Sequence, residues 1–236
     1  MRHLWAAAAM VGALGSAAWA QSAPADPVEQ ALADFRKAWS EARSLEAKAS
    51  ALHGLAVGDV RDARIVRTVG KYLNPAGDDP DYVLAAVAAE ELGGFKGDPV
   101  ASGLLLGAVP IYRKVPRMQM SLVAAMGRNG SASLVPYLIE RVHDLSANPD
   151  LAQAAATALG AMPVESALPA LLKEWSDLNK KRFKETAYPI VSSTLQSSAQ
   201  KMTGTICVTV ADFEIWWSRN SKQYTAAKPP PTATGH

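Results

Sequence analysis

The chain has a single cysteine, Cys207, so it holds no intrachain disulfide and no zinc site built on paired cysteines. Charge of one sign is also scarce. Lys and Arg number 24 against 22 Asp and Glu, a formal +2, whereas a dedicated nucleic-acid binder carries a strong basic excess. Aromatic residues make up 7% of 236, and 16 Gly with 15 Pro are too few for a collagen-like chain. No HExxH, GxSxG elbow, phosphate-binding Gly-rich loop or Cys/His pairing occurs. Apolar residues, by contrast, are abundant at 49%, which supplies a core and excludes wholesale disorder. Composition leaves a small, Ala/Leu-rich helical protein of one or two domains.

The two ends stand apart from the rest. Arg2 and His3 precede an uncharged, Ala-rich run from Leu4 to Gly15, and Ala18-Trp19-Ala20 supplies a small-x-small cleavage pattern. Residues 1–20 are therefore expected to be a signal peptide, with Gln21 as the mature N-terminus and an uncleaved anchor as the alternative. No cysteine follows the apolar run, so lipid attachment there is not expected. At the other end, Lys228 and three consecutive prolines, Pro229 to Pro231, block helix and sheet pairing. Residues 222–236 are expected to be a disordered, Pro-rich tail.

Between the ends the chain repeats itself. Gly54, Gly93, Gly127 and Gly160 are spaced by 39, 34 and 33 residues. Nine positions before each lies an apolar residue: Leu45, Leu84, Met118 and Leu151. Eleven positions after lie Ile65, Leu104, Leu138 and Leu171. Apolar residues at such spacings fall on one helical face. The glycine is expected to end a first helix in the left-handed conformation, and a second amphipathic helix follows. Pro136 and Pro169 sit in the first turn of second helices, where a missing N–H costs little. Asp79-Pro80 and Asn148-Pro149 are expected to start first helices, and Asp26-Pro27 an additional one. Neither helix of a pair can bury its apolar face alone, but stacked pairs can.

Ala156-Thr157-Ala158-Leu159-Gly160 and Ala167-Leu168-Pro169-Ala170-Leu171-Leu172 carry a resemblance to a known family. They resemble the helix ending and helix opening of HEAT or HEAT-like (bilin-lyase-type) repeats of exported bacterial proteins. Leu122–Gly127 with Leu134–Leu138, and Ala86–Gly93 with Val100–Leu105, repeat the pattern more loosely. In the first unit His53 replaces the apolar residue found at Leu92, Met126 and Leu159. The resemblance implies an all-α, short right-handed α-solenoid of about four hairpins and says little about function. The expected organisation is a single domain over 21–221, with an N-terminal cap at 26–40, repeats over about 41–178 and a C-terminal cap at 179–221. In the first cap, Val28, Leu32, Phe35 and Trp39 form one helical face. In the last, Lys181–Lys201 reads as helix interrupted near Pro189, Ile206–Val210 as an extended connector, and Asp212 as the cap of a final helix. Phe213, Trp216 and Trp217 then fall on one face. Their spacing is that of a buried stripe; a ligand or carbohydrate platform on the two tryptophans is the alternative.

Chemistry-bearing residues are few. His53 reads as a hydrogen-bonded core or interface histidine, His143 as a surface residue, and Glu174 as exposed. Ser198 and Lys201 form an SxxK pair without the companion motifs of serine acyl-transferases. Asp78, Asp79 and Asp81 lack the order of a calcium loop. Cys207 reads as a buried, inert thiol. One constellation stands out: Arg61, Arg64, Arg67 and Lys71 step by three, three and four along an expected second helix. The HEAT-like resemblance implies that such helices line a concave groove. Arg113, Lys114 and Arg117 follow one unit later. The candidate partner-binding residues are thus Arg64, Arg67, Lys71, Arg113, Lys114 and Arg117, fitted to an acidic peptide segment of another protein. A solvated face flanked by Asp59 and Asp62 is the competing reading. Together these point to a monomeric, non-catalytic scaffold or adaptor, exported to the periplasm or beyond. No cofactor, nucleic acid or stable membrane insertion is expected. A small-ligand or carbohydrate-binding module, or a lyase-like enzyme on the same fold, are the alternatives.

Overall fold

A computed structural model describes residues 26–58, 61–74 and 82–225. The expected leader over 1–20, the aspartates at 78, 79 and 81, Pro80 and the triple proline lie outside the described residues. Among those described, the regular structure is helical: eleven α-helices and two single 3-10 turns, at Lys71–Leu73 and Ala132–Leu134. The α-helices are α1 (Pro27–Glu41), α2 (Leu45–Val57), α3 (Ala63–Gly70), α4 (Val83–Gly94), α5 (Pro99–Ala108) and α6 (Pro116–Asn129). They continue with α7 (Val135–His143), α8 (Pro149–Ala161), α9 (Ala167–Lys181), α10 (Tyr188–Thr203) and α11 (Val210–Asn220).

Local chemistry sets several boundaries. Asp26 Oδ1 accepts from the Val28 amide and Pro27 occupies the first turn, so α1 starts where the sequence implies. Asn148 caps α8 in the same way through the Leu151 amide. Helix α4 departs from its expectation, because it begins at Val83 behind a left-handed Tyr82 that makes no side-chain cap. The last helix is capped by Thr209, with Asp212 as the reciprocal member of a capping box, not as the cap itself. The interruption expected near Pro189 within Lys181–Lys201 falls just before it. A turn over 182–187 separates α9 from α10, and Pro189 lies in the first turn of α10, where proline is tolerated.

The repeated glycines do a different job from the one their spacing implied. Gly93, Gly127 and Gly160 lie within their helices, and positive φ among described glycines is confined to Gly97, Gly130 and Gly204. Gly130 and Gly204 are the left-handed caps of α6 and α10. The repeated glycines instead admit the next helix. A methyl group at Gly93 would meet Ala125 O at 2.8 Å, and one at Gly127 would meet Ala158 Cα at 2.8 Å. One at Gly160 would meet Ser198 Cβ at 2.5 Å. Each contact joins the C-terminal halves of successive helices, so α4, α6, α8 and α10 run side by side and parallel, with α2 beside α4. On their other side α3 packs on α5, α5 meets the turn into α7, α7 packs on α9 and α9 on α11. The apolar core fills the space between the two rows, with Leu52, Ile65, Leu92, Leu105, Leu122, Leu138, Leu159 and Leu171 at 0–1% exposure.

Candidate functional site

The cationic stripe is divided by its neighbours. Arg61 precedes α3 and lies with its guanidinium 4.9 Å from the Phe95 ring centre. Arg64 turns toward α1: Nη1 donates to Glu29 Oε1 at 2.9 Å, Nη2 to Asp26 Oδ2 at 3.0 Å, and Nε to Asp62 Oδ1 at 3.1 Å. Hydrogen bonding to Arg64 lowers the Asp62 pKa, and Asp62 and Asp26 raise that of Arg64. Asp62 also caps α3 through the Arg64 amide. Arg64 thus fastens α1 to the start of α3, and its charge is spent within the chain. Arg67 and Lys71 are exposed on the following turns.

Arg113 and Lys114 lie on the turn after α5, and Arg117 in the first turn of α6; all three are exposed. Tyr112, beside them, is 1% exposed and donates its hydroxyl to Leu73 O at 2.5 Å. That bond sets the turn after α5 against the turn after α3, bringing Lys71 and the Arg113–Arg117 cluster to one edge. Arg64 is not part of it.

Both histidines among the described residues bond to a glutamate one unit along the chain, partners that the sequence alone does not single out. His53 Nδ1 donates to Glu91 Oε1 at 2.6 Å, and His143 Nδ1 to Glu174 Oε1 at 2.9 Å. The side chains of His53 and His143 are 62% and 49% exposed, whereas those of Glu91 and Glu174 are only 12% and 11% exposed. His53 is therefore an interface residue outside the core, and Glu174 is buried, contrary to its expected exposure. The separations of 38 and 31 residues are close to the repeat period, and that was the available signal. Glu91 occupies the position that Ala125, Ala158 and Ser198 hold in later helices. The facing Gly54 has no atom within 4 Å of its would-be methyl group, so the close helix contact is missing there. A shallow groove of about 570 Å³ opens beside this pair, lined in part by Val87, Glu90 and Arg128.

At the C-terminal end Phe213 is fully buried against Trp175, whose indole N–H donates to Ser192 Oγ at 2.9 Å. Trp216 and Trp217 are half-buried against the core. Tyr224, assigned by the sequence to the tail, is buried and meets the Trp217 ring edge-on at 5.3 Å between centres. Trp217 also borders a groove of about 320 Å³ with Lys173, Asp177 and Glu214. The segment expected as an extended connector over Ile206–Val210 is irregular, with bends at 208 and 209 and Val210 already in α11, and Ile206 and Val208 are 86% and 72% exposed. Its Cys207 carbonyl accepts from Gln196 Nε2 at 3.0 Å and Gln200 Nε2 at 3.1 Å. Cys207 is only half-buried; partial burial first, and Asp212 second, raise its thiol pKa. Among the described residues no three His, Cys, Asp or Glu side chains converge to hold a metal ion. Comparison of the chain with protein-family models, curated proteins and solved structures gives no match, so its likeness to HEAT-like repeats rests on the residues alone.

Proposed function

We propose that this protein is a short right-handed α-solenoid of HEAT-like hairpins, capped by α1 and α11, that serves as an exported, non-catalytic scaffold for another protein. The observation that carries the reading is the glycine ladder. One close helix contact recurs at Gly93, Gly127 and Gly160, as expected for units that each touch only their neighbours. Such stacking creates an elongated surface suited to many weak contacts with an extended partner. Arg67 and Lys71 are the cations of the stripe that remain available to an acidic segment, since Arg64 is held by α1 and Asp62.

Affinity capture from an envelope fraction tests this directly. The wild-type chain is expected to retain a protein partner, and Arg67→Gln with Lys71→Gln to weaken capture without moving the melting temperature. Capture should also weaken as salt shortens the screening length from about 10 Å at 0.1 M to about 3 Å at 1 M. Intact-mass measurement of the exported chain is expected to give a start at Gln21. A chain that captures no protein would overturn the scaffold reading. A second reading, a saccharide site, draws on the groove that Trp217 shares with Asp177 and Glu214. Quenching of tryptophan fluorescence by oligosaccharides, lost in Trp217→Ala, would favour it.

A further inference from the structure

The turns that join one hairpin to the next share a single edge. Tyr112 binds the turn after α5 to the turn after α3. Pro116 and Asn148, which open α6 and α8, line one groove. Arg182 Nη1 donates to His143 O at 3.2 Å and to Ser146 Oγ at 3.1 Å, joining the turn after α9 to that after α7. The turns within hairpins lie on the opposite edge, where the Gly97 amide donates to Asn129 O at 2.6 Å and Gly130 approaches Pro163.

Among the described residues this first edge carries two clusters of cations. Arg113, Lys114 and Arg117 lie at one part of it, and Lys181 and Lys184 at another, all exposed. Three described carboxylates nearby are accounted for locally. Asp144 faces Arg141 at 3.3 Å, while Glu185 accepts from Ser146 at 2.7 Å and lies 3.7 Å from Arg182. Asp150 sits in the first turn of α8, where the helix dipole favours it. Two apolar side chains stand out among the cations. Ile111 is 46% exposed and two residues from Arg113; Phe183 is 54% exposed and lies between Arg182 and Lys184.

We propose that this edge docks the protein on the surface of an anionic lipid bilayer, with the Lys and Arg side chains over the headgroups and Ile111 and Phe183 in the headgroup–acyl boundary. An acidic peptide accounts for the cations alone. A bilayer accounts for both features, since anionic headgroups attract basic segments and the boundary below takes apolar side chains. Among the described residues no helix is long and apolar enough to cross a membrane, and the docking proposed here is by surface side chains. Arg67 lies on α3 outside these turns, whereas Lys71 borders the Arg113–Arg117 cluster, so Arg67 alone distinguishes protein capture from docking.

The test is co-sedimentation of the full chain with vesicles of phosphatidylcholine containing 30% phosphatidylglycerol, beside vesicles of phosphatidylcholine alone. Every variant keeps the same N-terminal residues, so differences report on the edge. The expected result is preferential binding to the anionic vesicles that falls with salt. Arg113→Gln, Lys114→Gln, Lys181→Gln and Lys184→Gln together should lower it by roughly fivefold for each charge removed. Ile111→Ser with Phe183→Ser should lower it severalfold while the salt dependence persists. Arg67→Gln alone, a cation of the protein-capture stripe that lies on α3 and not in these turns, should retain vesicle binding. Equal binding to both vesicle types, or a quadruple variant that binds as wild type, would overturn the proposal. So would serine variants that bind as wild type while polyglutamate displaces the vesicles, which would assign the edge to an acidic polypeptide.

Discussion

A methyl group at Gly160 would lie 2.5 Å from Ser198 Cβ, and the Ser198 hydroxyl donates to Ala156 O at 2.8 Å. Helices α8 and α10 therefore meet through the smallest side chain available on one side and a short, satisfied polar one on the other. Ser198 is 6% exposed, so this bond also removes a polar group that burial would otherwise penalise. The SxxK pair is thus accounted for by helix packing.

Gly127→Ala and Gly54→Ala should differ in sign. At Gly127 the new methyl meets Ala158 Cα and Cβ at 2.8 Å, atoms of the adjoining helix that cannot swing aside. Overpacking of this kind costs about 1–3 kcal/mol. At Gly54, within α2, nothing lies within 4 Å, so alanine should stabilise by up to about 1 kcal/mol through helix propensity. Urea melts of the two variants decide it, and equal losses at both sites would remove the ladder as the basis of packing.

His143→Ala should destabilise although the histidine is half exposed. It removes the hydrogen-bond partner of Glu174, whose side chain is 11% exposed. A buried acceptor left without its donor costs about 1–3 kcal/mol. Replacing both residues, His143→Ala with Glu174→Met, should recover most of that loss in the same melts.

Tyr112→Phe isolates the bond between two turns. The ring stays in place, but the buried Leu73 carbonyl loses the hydroxyl that reaches it at 2.5 Å. The expected cost is about 1–3 kcal/mol, and hydrogen exchange near Leu73 and Tyr112 should accelerate more than elsewhere.

The Cys207 thiol should alkylate slowly at neutral pH. Partial burial and then Asp212 disfavour the thiolate and raise the pKa. The rate with iodoacetamide should therefore keep rising through the pH range where an ordinary exposed thiol has levelled off. Asp212→Asn removes the smaller of the two causes and should move that profile to lower pH. A wild-type midpoint at or below the ordinary thiol value would contradict the burial described.

Helix positions and much of the core were legible because they depend on local periodicity: Leu159 and Leu171 each belong to a 3.6-residue pattern and both are fully buried. The period of Gly93, Gly127 and Gly160 was equally visible, but its meaning was not. A glycine that ends a helix and one that admits a neighbouring helix look alike in a single sequence, and only the position of Ala125, Ala158 and Ser198 separates them. The stripe of Arg64, Arg67 and Lys71 was read from spacing along one helix. The carboxylates that claim Arg64 include Asp26 and Glu29, more than thirty residues away on α1, and no local pattern announces them. Arg113, Lys114 and Lys71 share an edge through Tyr112, a residue with no charge to draw notice.

The segment that follows α10 is bonded to that helix at the register the repeated glycines hold in α4, α6 and α8. Two residues beyond Ala125 and Ala158 stand Gly127 and Gly160, each ready for another helix; two beyond Ser198 stands Gln200. Its amide, with that of Gln196, holds the Cys207 carbonyl against α10. A row ending in one more glycine notch would be an open template, able to recruit the first helices of another copy and grow into a filament of unlimited length. On the proposed solenoid reading, the two glutamines of α10 would close that helix to such growth.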